Sequence, residues 1–98
     1  MYRGTTPEIE LVFDFSLSGQ TALYITFSQK DQEVFTVEMD NVTITDNVVK
    51  FRLTQEQTLM FDDEQLVSIQ ARGKQGEIAW ASEIVSKSIG EILKDGII

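Results

Sequence analysis

Two pairs of carboxylates set the first chemical question. Glu8 and Glu10 stand two residues apart, as do Glu38 and Asp40. On a β-strand that spacing puts both side chains on one face, roughly 6–7 Å apart along the backbone. Glycosidases hold their two catalytic carboxyls at a similar separation. The surroundings point elsewhere, because no aromatic cluster flanks either pair to stack on a sugar ring. Both pairs also fall on the polar side of an alternating pattern, where solvated acids are the ordinary occupants of a half-buried strand.

Asp62-Asp63-Glu64 is the only acidic run. A hard cation such as calcium takes several oxygens from a curved loop, usually with a glycine at the bend. This run has neither the spacing nor the glycine, and is expected to be an exposed loop. Asn41-Val42-Thr43 has the form of a glycosylation acceptor, a tripeptide that arises often by chance. Met1 to Pro7 contains no apolar signal core that would give that tripeptide meaning.

The sequence contains neither histidine nor cysteine. That removes the commonest general base, the commonest zinc ligands, and every disulfide or thiolate site. Serine, threonine and lysine remain as nucleophiles, yet no Ser-x-x-Lys pair or Gly-x-Ser-x-Gly elbow occurs. The six glycines are scattered, and none leads a strand into a long helix as a phosphate loop would. No catalytic, cofactor-binding or metal-binding residue is therefore assigned, and the chain is not expected to be an enzyme.

Sixteen acidic residues against eight basic ones give a net charge of −8. The densest basic pairs, Lys50/Arg52 and Arg72/Lys74, do not reverse that field locally, so a phosphate backbone would be repelled. Neither nucleic acid nor a small-molecule substrate is an expected partner. No apolar run approaches the roughly 18 residues a spanning helix needs, and no membrane association is expected. Tyr2, Tyr24 and Trp80 are the aromatics with polar tips. They are too few and too scattered to form a clear carbohydrate platform. The lone Trp80, set among small residues, is expected to plug the core between two sheets.

The elements that carry these residues follow a period of two, the signature of strands with one buried face. Ile9, Leu11, Phe13 and Phe15 alternate with Glu8, Glu10, Val12 and Asp14. Leu23, Ile25 and Phe27 alternate with Tyr24, Thr26 and Ser28. The same pattern runs through Phe35, Val37 and Met39, through Val49, Phe51 and Leu53, and through Val67, Ile69 and Ala71. Polar turns separate the runs at Ser16–Gln20 and Gln29–Gln32. Asp46-Asn47 predicts a two-residue type I′ hairpin, since both residue types tolerate positive φ. Gly73-Lys74-Gln75-Gly76 predicts a second hairpin, into Ile78–Ala81.

One segment breaks the period. Thr54-Gln55-Glu56-Gln57 is a capping box, and Leu59, Met60 and Phe61 give the apolar side of one helical turn, so a short helix is predicted over 55–60. From Trp80 to Val85 two sets of residues compete for one face, which predicts a bulge. Residues 1–7 read as an N-terminal arm, and residues 90–98 as a final strand or a second arm. At 98 residues with 42% hydrophobic content, one core is expected, in a single domain spanning 1–98. The expected fold class is all-β: an antiparallel, immunoglobulin-like β-sandwich of about seven strands with one short helix.

Several segments carry a resemblance. They are Tyr2-Arg3-Gly4-Thr5-Thr6-Pro7 with the strand after it, Tyr24-Ile25-Thr26-Phe27-Ser28-Gln29, and Leu53-Thr54-Gln55-Glu56-Gln57-Thr58-Leu59. The stretches Ala81-Ser82-Glu83-Ile84 and Ile89 to Ile98 belong with them. Together they resemble small β-domain proteins encoded in tail-gene clusters of phages and prophages of Firmicutes. The resemblance implies a tail or baseplate-associated structural component, similar in kind to the immunoglobulin-like accessory domains of baseplates. Its implied partners are other tail or baseplate proteins, with self-association also open. Its implied location is the bacterial host cytoplasm during assembly and the virion thereafter. A carbohydrate- or host-surface-binding module is the alternative. The apolar ending Ile97-Ile98 fits a buried contact better than a free monomer.

Overall fold

A computed structural model describes residues 1–98. The chain forms an all-β sandwich of eight strands in two antiparallel sheets. The strands are β1 (Glu8–Val12), β2 (Gln20–Gln29), β3 (Gln32–Glu38), β4 (Thr43–Thr45), β5 (Val48–Arg52), β6 (Val67–Gln75), β7 (Ile78–Ala81) and β8 (Val85–Lys87). A single helical turn, α1, spans Gln55–Leu59, and a 3₁₀ turn spans Met39–Asn41. The small sheet has the order β1-β5-β4. The large sheet has the order β3-β2-β6-β7, with β8 also paired to β6.

The period of two decides which side chains meet between the sheets. Leu23, Ile25 and Phe27 of β2, Val67, Ile69 and Ala71 of β6, and Val49 and Phe51 of β5 are all buried. Phe27 stacks on Phe35 at 4.8 Å between ring centroids and meets Phe51 edge-on at 6.2 Å. Burying an aromatic of this size removes about 150–250 Å² from water, so these rings dominate the core energetically. The chain crosses between sheets three times: from β1 to β2, from β3 to β4 through the 3₁₀ turn, and from β5 to β6 through α1.

The capping box forms in full. Thr54 Oγ1 accepts from Gln57 N at 3.0 Å, and Gln57 Oε1 accepts from Thr54 N at 2.9 Å. Several turns differ from expectation. The Asp46-Asn47 loop does join two paired residues, Thr45 and Val48, but only Asp46 takes positive φ, at 53°. Asn47 does not share it, so the type I′ pattern is not formed there. Asn47 is held elsewhere: its carbonyl accepts from Phe13 N, and its Nδ2 donates to Phe13 O. Positive φ at both central residues, the type I′ pattern, occurs instead at Lys30-Asp31, with φ of 51° and 62°. Gly73, read as part of a turn, lies within β6, and the turn itself is Gly76-Glu77. β3 ends at Glu38, so Met39 and Asp40 do not continue its alternation.

Both terminal segments are fastened at one end of the sandwich. Tyr2 bridges Gly90 in parallel, and backbone bonds join Arg3 N to Gly90 O and Gly90 N to Met1 O. The Arg3 guanidinium donates from Nε to Phe61 O at 2.9 Å and from Nη2 to Leu59 O at 3.1 Å. Those carbonyls lie just at and beyond the end of α1, where a cation complements the helix dipole. Beyond Gly90 the chain forms no regular strand; Ile89 is buried and Leu93 and Ile98 are exposed.

Candidate functional site

The candidate residues of the sequence do not converge. Glu8 and Glu10 do share the outer face of β1, but each stands directly opposite a cation on β5: Glu8 opposite Arg52 and Glu10 opposite Lys50. Both pairs close to 3.6 Å through Oε2, with all four side chains largely exposed. The acidic pair and the basic pair of the sequence are thus one cross-strand ladder, a common device of antiparallel sheets. Glu38 and Asp40 do not share a strand face, because the 3₁₀ turn intervenes.

Asp62-Asp63-Glu64 forms a loop organised from within the domain. Asp62 Oδ1 accepts from Glu64 N at 2.8 Å. Gln29 Nε2 donates to Asp62 O at 2.8 Å and to Gln65 O at 3.2 Å, while Gln29 Oε1 accepts from Asp62 N at 2.9 Å. Gln29 reads as a turn residue in the polar stretch Gln29–Gln32, yet the sequence carries the signal for its inward role. It continues the inward series Leu23, Ile25, Phe27, and an amide at the next inward position must find buried partners. No group of three or more acidic side chains comes together in a way that could hold a metal ion.

Trp80 faces inward, opposite Gly73, but at the rim of the core and only half-buried. Its ring covers Gly73, meets Phe13 at 5.3 Å and Phe15 at 5.0 Å edge-on, and donates from Nε1 to Gln20 Oε1 at 3.2 Å. It joins β7 to the chain leaving β1. Tyr2 lies over Gly90 at the end with the termini, and Tyr24 stands on the outer face of β2. The three polar-tipped aromatics therefore share no surface.

What the fold does assemble is an open side. The small sheet has three strands, and it ends at β1; the large sheet continues past that limit through β7 and β8. The inner side of β8 is left without a facing strand: Val85 pairs with the inward Ile69, yet is 46% exposed. A groove of about 840 Å³ runs between β1 and β8, with Leu11, Ile69 and Val85 among its apolar lining. Val12 and Ile84 at its margins are 65% and 62% exposed. The charged residues along it are Glu10, Asp14, Glu83 and Lys87.

The bulge expected in this region creates the break between β7 and β8. Arg72 faces Ala81 while Ile69 faces Val85, so two residues of β6 stand opposite three. Ser82 fills the gap: its N donates to Ala71 O at 2.8 Å, and its Oγ accepts from Ala71 N at 3.0 Å. No helix is long and apolar enough to cross a membrane. Comparison with protein-family models, curated proteins and solved structures finds no match to this chain.

Proposed function

We propose that this domain is a structural interaction protein, a tail or baseplate-associated component of a phage or prophage that works through protein–protein contacts. The observation that carries the interaction reading is the open side between β1 and β8. There Val12, Ile84 and Val85 expose apolar surface next to a groove with a buried apolar floor. Contiguous apolar surface of this kind, rimmed by polar groups, marks contact sites in soluble proteins. The tail or baseplate assignment rests on the resemblance of the terminal, β2 and capping-box segments. On this proposal the protein acts in the host cytoplasm during assembly and in the particle afterwards.

Other features favour contact over catalysis. The acids that might have worked as a catalytic pair are engaged with Arg52 and Lys50 on an exposed face. A carbohydrate-binding role gains nothing from Tyr2, Tyr24 and Trp80, which lie apart. The test is co-expression with the products of the genes on either side, followed by co-purification and sedimentation. A stable complex with a neighbouring tail product is the expected result. A strict monomer that joins none of them overturns the assembly reading.

A further inference from the structure

We infer that β1 is a docking edge, completed by an extended, cationic segment of a partner protein that adds as a fourth strand to the small sheet. This deepens the assembly reading and rests on it.

The backbone supplies the first argument. Pro7 O accepts from Leu53 N at 3.0 Å and Phe13 N donates to Asn47 O at 2.9 Å. These bonds bracket β1 and fix its odd-numbered residues as those bonded to β5. In an antiparallel pair the intervening residues direct their groups the other way, so Glu8, Glu10 and Val12 present N–H and C=O groups to the open side.

The four sheet edges are not equivalent. β4 has three residues, β3 is bulged at Val34, and the β7–β8 edge is broken at Ser82 to Ile84. Short, bulged or broken edges resist pairing with another chain. β1 alone keeps an unbroken register through five residues. A strand added there would lie over the groove, above the buried Ile69, and cover Val85, which is 46% exposed.

Charge selects the occupant. Any two-fold antiparallel pairing of β1 with a second copy that keeps the apolar faces on one side, centred on a strand residue, sets two carboxylates opposite each other. Centring on Glu8 or Glu10 opposes that residue to itself, and centring on Ile9 opposes Glu8 to Glu10; centring on Leu11 or Val12 brings Glu8 or Glu10 level with Asp14, in the bend just past the strand. Like charges directly opposite are destabilising, and the chain carries −8 overall. The salt bridges to Lys50 and Arg52 close only to 3.6 Å, and the Glu10 and Glu8 side chains stay about half exposed, at 49% and 53%, open to a second cation. A strand with Lys or Arg on its outer face and apolar residues on its inner face satisfies both sides at once. Such strand addition combines main-chain hydrogen bonds with alternate side-chain pockets.

The test uses the ¹⁵N-labelled chain and a capped peptide alternating Lys with Ile and Val, beside an acidic twin with Glu in place of Lys. The expected result is amide shifts at Glu8, Glu10, Val12, Ile69 and Val85 with the basic peptide, and at least tenfold weaker binding of the acidic one. Glu10→Pro removes an edge donor whose N–H serves no bond within the fold, so the remaining spectrum should persist while binding falls at least tenfold. No shifts at millimolar basic peptide, or shifts unaffected by Glu10→Pro, overturn the proposal. So does a concentration-dependent dimer of the free chain that Glu10→Pro abolishes, because the occupant would then be a second copy. A neighbouring gene product that binds Glu10→Pro as tightly as the natural chain also sinks the docking edge, while leaving the assembly reading intact.

Discussion

Gly73 lies beneath the indole of Trp80 so closely that a Cβ at position 73 would fall 2.5 Å from the ring. The pair is cross-strand, joining β6 to β7. Gln20 Oε1 lies on the same spot, 2.7 Å from where that Cβ would be. The glycine is thus a packing requirement and not a turn residue. Because Trp80 also meets Phe13 and Phe15, the contact ties β7 to the small sheet across the sandwich's open side.

Gly73→Ala should therefore destabilise the domain by about 1–3 kcal/mol, the usual cost of forcing extra volume into a packed site. Urea unfolding followed by Trp80 fluorescence would read it, with a shifted emission maximum in the folded state. An unchanged midpoint would show that the indole swings away freely.

Gln29 holds three main-chain groups of the 62–65 loop through one buried amide. Gln29→Leu keeps much of the volume but removes all three bonds, including the one that Asp62 N donates to Gln29 Oε1. The expected loss is about 1–3 kcal/mol, from three lost hydrogen bonds at roughly 0.5–1.5 kcal/mol each, offset in part by water reaching the exposed loop. Hydrogen exchange at the Asp62 amide should accelerate well beyond that of the β2 amides, which locates the effect.

Arg3 and Asp95 should separate cleanly. Arg3→Ala removes two charge-assisted bonds to Phe61 O and Leu59 O, in a side chain that is only 23% exposed. A loss of roughly 1.5–3 kcal/mol is expected, from the typical worth of bonds to charged groups. Asp95→Ala breaks the 3.2 Å pair to Arg3 Nη1, but that carboxylate is 74% exposed, and exposed pairs are worth about 0–1 kcal/mol. Thermal unfolding of both variants would show a large shift for the first and a small one for the second.

Glu8→Gln combined with Glu10→Gln should change stability by less than about 1 kcal/mol in total, because both ion pairs are exposed and salt-screened. Chemical denaturation at low and high salt would show the difference between variant and natural chain shrinking as salt rises. Binding of a cationic partner segment, in contrast, should weaken markedly.

The sandwich was legible because the sheet period is short and local. Ile25, Phe27, Val49, Phe51, Val67 and Ile69 each declare their face through their immediate neighbours, and the Thr54–Gln57 capping box closes within one turn. The turn types were less legible. Asp46-Asn47 and Lys30-Asp31 are both polar dipeptides, and what separates their conformations is Asn47's attachment to Phe13, 34 positions away in sequence.

The sequence alone determined the all-β class, the alternation that builds both sheets, the helical turn after Leu53, and the lack of His and Cys chemistry. Only the tertiary structure decided that Glu8 and Glu10 meet Arg52 and Lys50, that Trp80 covers Gly73, and that β1 is an open edge beside an uncovered β8. The reason is physical. A strand's face is set by residues two apart, whereas its neighbour in a sheet is chosen by contacts between segments far apart in the chain, and the shortfall of one small-sheet strand appears only when both sheets are in place.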